Sequence, residues 1–262
     1  MNVDDAPRRG RGDRGQFIAA SCARGVHTPL YRQRNASTAL LLRFAYTSEM
    51  ASHRKRGPEM HVFLETERLI LRRFTEADAD NLVELDSDPD VMHYITGGKA
   101  TPREMIENDF LPAFLAYYER GDRYGFWAVI EKSTGRFIGW FHFRPPHGST
   151  DPDIAELGYR FRKDAWGKGY ATEGSKALID KGFRELGVRR VTAYTFEKHQ
   201  ASQRVMEKAG LSFVRKFRMT PEQLEAEGLA PEDFWDGDDV EYAIDRADWE
   251  HQQKMQADRH DP

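Results

Sequence analysis

Cysteine is almost absent from this sequence of 262 residues, which contains one, Cys22. From residue 60 onward there is consequently no thiol for a disulfide, a nucleophile or a metal ligand. No other ligand spacing typical of a metal site is present, so we expect no metal. A chain without disulfides suits a reducing compartment, and we expect a cytoplasmic location.

Long apolar runs are missing as well. The longest run in the first sixty residues, at positions 39–42, is far shorter than a membrane span, which takes roughly 20 apolar residues. A signal peptide, with a charged start followed directly by an apolar core, is not visible either. We therefore expect no membrane partner.

A strong charge of either sign is also missing, since the formal net charge of the whole chain is −4. The distribution is uneven: residues 1–60 carry 11 Lys and Arg against 5 Asp and Glu, and the rest of the chain is acidic. Nucleic acid is therefore not an expected partner, and a nucleic-acid-binding function would depend on the basic tail alone.

We expect residues 1–59 to be a disordered basic N-terminal extension, because they show little periodic pattern and could bury little apolar surface. Two explanations remain for this segment. It is either an organelle-targeting or nucleic-acid-contacting tail, or an upstream extension of the reading frame with the functional start at Met50 or Met60, which we prefer. Residues 60–262 then form the folded domain.

A strand, a turn and a helix are predicted between positions 154 and 186. The strand alternates between a face of Ala155, Leu157, Tyr159 and Phe161 and a face of Ile154, Glu156, Gly158 and Arg160. Apolar and small residues then recur at helical spacing from Ala171 to Leu186. Gly187 follows as the predicted stop of the helix.

The turn between this strand and this helix reads Trp166-Gly167-Lys168-Gly169-Tyr170-Ala171. Two glycines before a helix let the backbone approach a ligand, and the first N–H groups and the helix dipole favour an anion such as a phosphate. A dinucleotide fingerprint would need glycine in place of Thr172, and a P-loop would need Gly-Lys-Ser/Thr at the close of a longer loop. Neither pattern is present. The local sequence thus predicts either a phosphate-binding turn or an ordinary connection between a strand and a helix.

Three stretches in order, residues 156–159, 166–173 and 202–211, resemble the GNAT superfamily of acetyl-CoA-dependent N-acetyltransferases. The chain looks most like the branch of ribosomal-protein N-acetyltransferases of RimJ/RimL type, and the resemblance extends from about Val62 to Trp249. It implies an α/β (α+β) fold for residues 60–262, with a mixed, mainly antiparallel central sheet flanked by helices. It also implies acetyl-CoA as co-substrate.

The resemblance further implies which residues hold acetyl-CoA. Backbone groups of Tyr159, Arg160 and Phe161 would contact the pantetheine arm. The residues that would hold the pyrophosphate are Gly167, Lys168, Gly169, Tyr170, Ala171 and Thr172. Ser202 matches a serine of the family's next helix and is the remaining candidate cofactor contact.

Glu156 is the candidate general base, because it lies opposite in phase to Leu157 and Tyr159 and near the splayed strands where the acceptor enters in this family. A carboxylate can act there through a water molecule. The alternative interpretation is an ordinary exposed strand glutamate.

The proton for the departing thiolate has no obvious donor. Met206 stands where some superfamily members carry a tyrosine for this role, and His199 stands where relatives often have asparagine. His199 is therefore a candidate catalytic residue, along with Ser202, Tyr194 and water. The alternative for His199 is a side chain that merely satisfies the start of a helix.

Flanking elements follow from the remaining pattern. Strands are predicted at 68–72, 126–131, 136–144, 191–196, 213–217 and 240–244, and helices at 75–85, from 101 onward, and at 201–209. The helix from Thr101 should start with a capping box and be kinked or split by Pro112. Residues after about Trp249 should be frayed.

Two further expectations concern an acceptor. In the strand at 136–144 one predicted face holds Phe137, Phe141 and Phe143, and the other holds Arg136, Ile138, Trp140, His142 and Arg144. His142 is thereby a candidate acceptor-site residue, or a partly exposed histidine without a role. A helical insertion opened by a capping box at Thr220 is acidic from 222 to 239, which is typical of a solvated face or attracts a cationic amine.

The sequence thus predicts an acetyl-CoA-dependent N-acetyltransferase that moves an acetyl group to a primary amine by direct attack in a ternary complex. The acceptor would be a protein N-terminus or a small-molecule amine, and the protein a monomer or a homodimer. The alternative is a catalytically weak acyl-CoA-binding module, suggested by Met206 and His199.

Overall fold

The structure is a computed structural model that describes residues 60–146, 149–218, 220 and 237–258. The predicted extension at 1–59 lies outside the described residues, and so does most of the predicted acidic insertion. The account below concerns the described part of the chain.

Within the described residues, eight strands form one sheet. The strands are β1 (Val62–Glu65), β2 (Leu69–Arg73), β3 (Gly125–Glu131), β4 (Phe137–Arg144), β5 (Ile154–Phe161), β6 (Arg190–Phe196), β7 (Ser212–Phe217) and β8 (Asp239–Asp245). Their order across the sheet is β1-β2-β3-β4-β5-β6-β8-β7. All neighbours are antiparallel except β5 and β6, which confirms the predicted mixed, mainly antiparallel sheet.

The parallel ladder between β5 and β6 is short, and a gap between the two strands results. The register between β5 and β6 covers Ile154 to Glu156 on one strand and Arg190 to Thr192 on the other. Beyond Glu156, β5 continues to pair with β4, while β6 continues to pair with β8. The two strands therefore splay apart from Glu156 onward.

Helices cover both faces of the sheet. They are α1 (Ala79–Ser87), α2 (His93–Thr96), α3 (Arg103–Met105), α4 (Leu111–Tyr117), α5 (Tyr170–Arg184), α6 (Gln200–Lys208) and α7 (Arg246–Ala257). The predicted stop of α5 is confirmed, because Gly187 has a left-handed φ of 68° that few other residues adopt. The predicted strand at 154–161 and the helix after it are thus in place.

Two apolar cores lie on opposite faces of the sheet. One packs Phe141 and Leu157 against Leu178 of α5 and Met206 of α6. The other contains Leu82 of α1, Phe114 of α4 and Trp140 of β4. Each helix layer therefore buries an apolar stripe on its own face, as the fold class requires.

A β-bulge in β4 corrects one prediction. The partner of Ile130 in β3 is Phe137, and the partner of Val129 is Gly139, so Ile138 is the additional residue. Phe137 consequently joins the core of Trp140, and Ile138 joins the core of Phe141, which is the reverse of the predicted faces. A strict alternation across the whole strand could not foresee this reversal.

Other local predictions were wrong in detail. The capping box at Thr101 does not form, because its hydroxyl donates to Oδ2 of Asp86 at 2.8 Å, and Pro102 precedes the first turn. The chain also stays helical beyond Trp249, through Ala257. By contrast, the predicted interruption by Pro112 is confirmed, because a π-helical turn at Ile106–Phe110 separates α3 from α4, which has Pro112 in its first turn.

Candidate active site

The splay of β5 and β6 opens a cleft with a volume of about 770 Å³. Its walls come from β5, β6, the start of α5 and one face of α6, and α2 contributes His93 and Tyr94. Glu156 lies at the closed end of the splay, where the ladder between the two strands stops. The predicted site residues other than Lys168 all line this cleft.

The glycine turn has the geometry that a phosphate cradle needs. Gly167 and Gly169 have φ values of 73° and 82°, in the left-handed region that favours glycine. Gly169 is the N-cap of α5, and a Cβ added to Gly167 would meet no atom within 4 Å. The first backbone N–H groups of α5 therefore have no intrahelical acceptor and lie beside open space.

Neighbouring side chains hold this turn in place. Arg68 donates through Nη1 to the carbonyl of Lys168 at 3.0 Å, and its guanidinium also contacts Glu173. Trp166 donates through Nε1 to the carbonyl of Phe161 at 2.9 Å, so β5 and the turn are tied together. The cradle is thus preorganised by hydrogen bonds from Arg68, outside the cleft, and from Trp166, in its lining.

Two residues of β5 that were predicted to offer backbone groups have their side chains engaged elsewhere. The Tyr159 hydroxyl lies 3.0 Å from Oγ of Ser202 on α6. Arg160 is buried, pairs with Asp86 of α1, and its guanidinium lies 5.2 Å from the ring centroid of Trp140. Since these side chains are fixed, the backbone edge of β5 is held rigidly toward the cleft.

Glu156 is buried to 6% exposure, which rules out the ordinary exposed strand glutamate. Its Oε1 lies 3.4 Å from Nε2 of His142, and its Oε2 lies 3.4 Å from Nη1 of Arg144. Both neighbours come from β4, the strand that pairs with β5 from Glu156 to Phe161. A carboxylate that is buried between two nitrogen-bearing side chains and opens to a cleft is suited to accept a proton.

His142 is fully buried, not partly exposed as its alternative interpretation held. Neither ring nitrogen has a hydrogen-bond partner among the residues described here. Burial lowers the pKa of His142, and the nearby Arg144 guanidinium lowers it further, so the imidazole is neutral at pH 7. The ring lies against Gly158, where a Cβ would be 2.4 Å from Cε1.

His199 lines the cleft and stacks on the Tyr94 ring of α2, with centroids 4.3 Å apart. It is the N-cap of α6, but its side chain makes no capping hydrogen bond, so the capping alternative was wrong. Burial lowers its pKa to about 4, and His93 contributes. A neutral imidazole at pH 7 can donate a hydrogen bond but is a poor source of a proton.

On α6, Ser202 and Met206 are buried, and both line the cleft. They are four residues apart, which places them on the same face of the helix. Tyr194 of β6 also lines the cleft, and burial raises its pKa. The contact of Tyr159 with Ser202 therefore brings a phenol hydroxyl to the helix face that carries Met206.

Sequence reasoning missed the contribution of the helices above the sheet. Tyr94 and Asp86 are far from the site in sequence, and the hydrogen bond between Asp86 and Arg160 joins positions 74 residues apart. One signal in the sequence could have identified Asp86. It shares the buried face of α1 with Leu82 and Leu85, and a charged residue on such a face indicates a buried partner of opposite charge.

Two other features are absent from the described ranges. No group of three or more His, Cys, Asp and Glu side chains is arranged to bind a metal ion. No helix there combines the length and the apolar character that crossing a bilayer requires.

Comparison with known proteins identifies the family. Residues 68–212, more than half of the chain, match the acetyltransferase (GNAT) domain family. FsC-acetyl coenzyme A-N(2)-transacetylase of Aspergillus fumigatus is 30% identical over 197 residues, which cover 73% of this chain and 79% of that protein. The match therefore extends beyond the glycine turn to both walls of the cleft.

Solved structures agree. An acetyltransferase of the GNAT family from Bacillus anthracis has a TM-score of 0.55 and 27% identity, and the match covers 70% of this chain and 98% of that one. RimL, a ribosomal L7/L12 alpha-N-protein acetyltransferase solved with coenzyme A, shares the fold with a TM-score of 0.54 at 16% identity, over 71% and 98% of the two chains. The predicted superfamily is confirmed, and the chain shares its fold with RimL. This chain belongs to the GNAT acetyltransferase family and is an acetyl-CoA-dependent acyltransferase.

Proposed function

We propose that the protein transfers the acetyl group of acetyl-CoA directly to a primary amine, either a peptide N-terminus or a small molecule. The observation that carries this proposal is a single cleft with a glycine cradle at one end and a buried carboxylate, Glu156, at the other. A cofactor phosphate and a reacting amine can therefore be held in one ternary complex.

The residues fit acetyl-CoA. Beyond Glu156 the edge of β5 has no ladder to β6 within the described chain, so Tyr159, Arg160 and Phe161 present strand backbone toward the cleft. The turn from Gly167 to Thr172 supplies N–H groups for the pyrophosphate. Bound acetyl-CoA supplies an activated thioester, so no covalent enzyme intermediate is needed.

Glu156 takes the proton of the attacking amine, directly or through one water molecule. The acceptor nitrogen bonds to the acetyl carbon, the carbon–sulfur bond breaks, and the sulfur leaves with the bonding electrons. Arg144 pairs with the carboxylate from β4, and the His142 ring packs beside it, so both limit its movement away from the cleft. The base is thus placed by its own sheet rather than by a mobile loop.

The sulfur needs one proton in return. We assign its delivery to the hydroxyl of Ser202, which passes a proton to the sulfur and takes one from a water molecule in the same step. This hydroxyl lies one helical turn from Met206 and contacts the Tyr159 hydroxyl. His199, neutral at pH 7, contributes a hydrogen bond and a stacked wall rather than a proton. The assignment accounts for the absence of a tyrosine at position 206.

The test combines binding and turnover. Titration calorimetry should show micromolar acetyl-CoA binding, and release of free thiol should report turnover with a panel of amines that includes peptides and small molecules. Glu156→Gln should keep the binding and lose about 100-fold or more in kcat at saturating acetyl-CoA. Glu250→Gln, which changes an exposed glutamate of α7, is the matched control.

Two results would count against the proposal. An unchanged rate for Glu156→Gln across pH removes this residue from the mechanism. Binding without thiol release for every amine would instead favour the weak acyl-CoA-binding module.

The remaining parts of the proposal concern the whole protein. We propose that residues 60–262 are the catalytic unit, that the protein acts in the cytoplasm, and that it is a monomer or a homodimer. Activity of a chain that starts at Met60, cell fractionation and analytical ultracentrifugation test these three statements in turn.

A further inference from the structure

We infer that Arg204 and Lys208 of α6 form a second anion site in the cleft, which binds the 3′-phosphate of acetyl-CoA. The inference rests on the proposed function, since it requires acetyl-CoA in this cleft. Neither side chain belongs to the glycine cradle or to the residues that handle protons.

Arg204 and Lys208 differ from most basic residues of the described chain because they form no ion pair with a described residue. Arg68 pairs with Glu173, Arg162 with Glu84, and many other surface cations are paired in the same way. Other such ion pairs are Arg103 with Asp80, Arg123 with Asp153, Arg136 with Asp164, Arg184 with Asp180 and Arg190 with Asp245. Lys198, Arg204 and Lys208 form no ion pair with any described residue, yet all three line the cleft.

Helix geometry brings two of these cations together. Arg204 and Lys208 are four residues apart within α6, so their side chains lie on the same face, one turn from each other. Both residues are exposed, and both line the cleft that the glycine turn also lines. In coenzyme A a single ribose separates the pyrophosphate from the 3′-phosphate, so one cleft can hold both groups.

The acidic residues of the cleft do not neutralise this face. They are Asp90, which pairs with Lys163, and Glu156, which lies beside Arg144 and His142. The α6 wall is therefore positive in a chain whose net charge is −4. A phosphate monoester with two negative charges is the ligand group that such a wall favours.

The experiment compares acetyl-CoA with 3′-dephospho-acetyl-CoA by titration calorimetry on the full chain. The unaltered protein should prefer acetyl-CoA by about tenfold at low ionic strength, since each exposed cation contributes a few-fold. The double substitution Arg204→Gln and Lys208→Gln should abolish the preference and leave the binding of 3′-dephospho-acetyl-CoA unchanged. Lys176→Gln, an exposed lysine of α5 outside the cleft lining, should keep the preference.

Three results would contradict the second anion site, and they differ in what they imply for the proposed function. Equal binding of the two ligands by the unaltered protein overturns the second anion site and leaves the proposed function standing. Equal weakening of both ligands by the double substitution overturns it too, because a general loss is not a loss of phosphate recognition. Absence of binding of either ligand by a folded protein overturns both the site and the proposed function.

Discussion

At the scale of single residues, Gly158 keeps the space that the His142 ring occupies. A Cβ at this position would lie 2.4 Å from Cε1 of His142, and the ring cannot move away cheaply because it is fully buried. Gly158→Ala should therefore lower the free energy of unfolding by about 1–3 kcal/mol. It should also lower kcat, since a displaced His142 no longer supports Glu156.

Denaturant unfolding and steady-state rates check this prediction. Gly237→Ala is the control, because a Cβ added to Gly237 meets nothing within 4 Å. Unchanged stability together with an unchanged rate would show that the ring and the new methyl group coexist.

Single residues of the site could be predicted from the sequence where a motif marked them, and only there. Glu156 and the glycines of the turn belong to a motif of adjacent positions, so their roles could be proposed before the structure. The burial of Glu156 between Arg144 and His142 could not, because strand pairing between β4 and β5 decides which side chains meet. His142 has no such motif, and its alternation suggested partial exposure.

At the scale of elements, the bulge in β4 depends on Gly139. Its φ of 150° is rarely adopted by other residues, and a Cβ would lie 2.2 Å from the backbone oxygen of Arg160. Gly139→Ala should lower the free energy of unfolding by about 3 kcal/mol or more, because strain and overlap with backbone add. Thermal and denaturant unfolding against Gly237→Ala measure the effect, and a loss within the error of that control would contradict it.

The α2 segment covers His199, which gives a second prediction at this scale. Tyr94→Ala removes the stacked ring, so the pKa of His199 should rise from about 4 toward the ordinary value of 6.5. Tyr94→Phe keeps the ring and loses the hydrogen bond to the carbonyl of Lys198, so it should leave the pKa of His199 low. NMR titration of the imidazole measures both variants, and equal pKa values would show that other groups bury His199.

Elements with strong periodicity were predictable, and short or interrupted ones were not. β5 and α5 were foreseen because alternation and helical spacing extend over many residues. β1 and α2 contain only four residues each, which is too short for a pattern. The bulge in β4 does not alter the apolar pattern of the sequence, and its one signal there is a glycine inside the strand.

At the scale of the whole molecule, the buried His142 and the half-buried His199 make the fold sensitive to acid. The pKa values of His142 and His199 are lowered in the folded state, and burial is the main cause for both. Below pH 6.5 the unfolded chain binds protons that the folded chain does not, so stability falls as the pH drops from about 6.5 toward 4. Each histidine contributes at most about 1.4 kcal/mol per pH unit in this window.

Denaturant unfolding at pH 7.5, 6.5 and 5.5 checks the sign and the slope. His199→Gln should flatten the slope, whereas His251→Gln, at an exposed position of α7, should not. A stability that is constant over this range would show that both imidazoles accept protons in the folded protein.

The three residue pairs that join β5 to β6 have a consequence for the lifetime of the protein. In the described chain they are the only sheet ladder between strands β1 to β5 and strands β6 to β8, so few backbone hydrogen bonds join these two groups of strands. A ligand that fills the splay adds contacts to both groups and stabilises the folded state by mass action. We therefore expect proteases to cut this protein faster when its acyl donor is scarce, so that its abundance follows the supply of that donor.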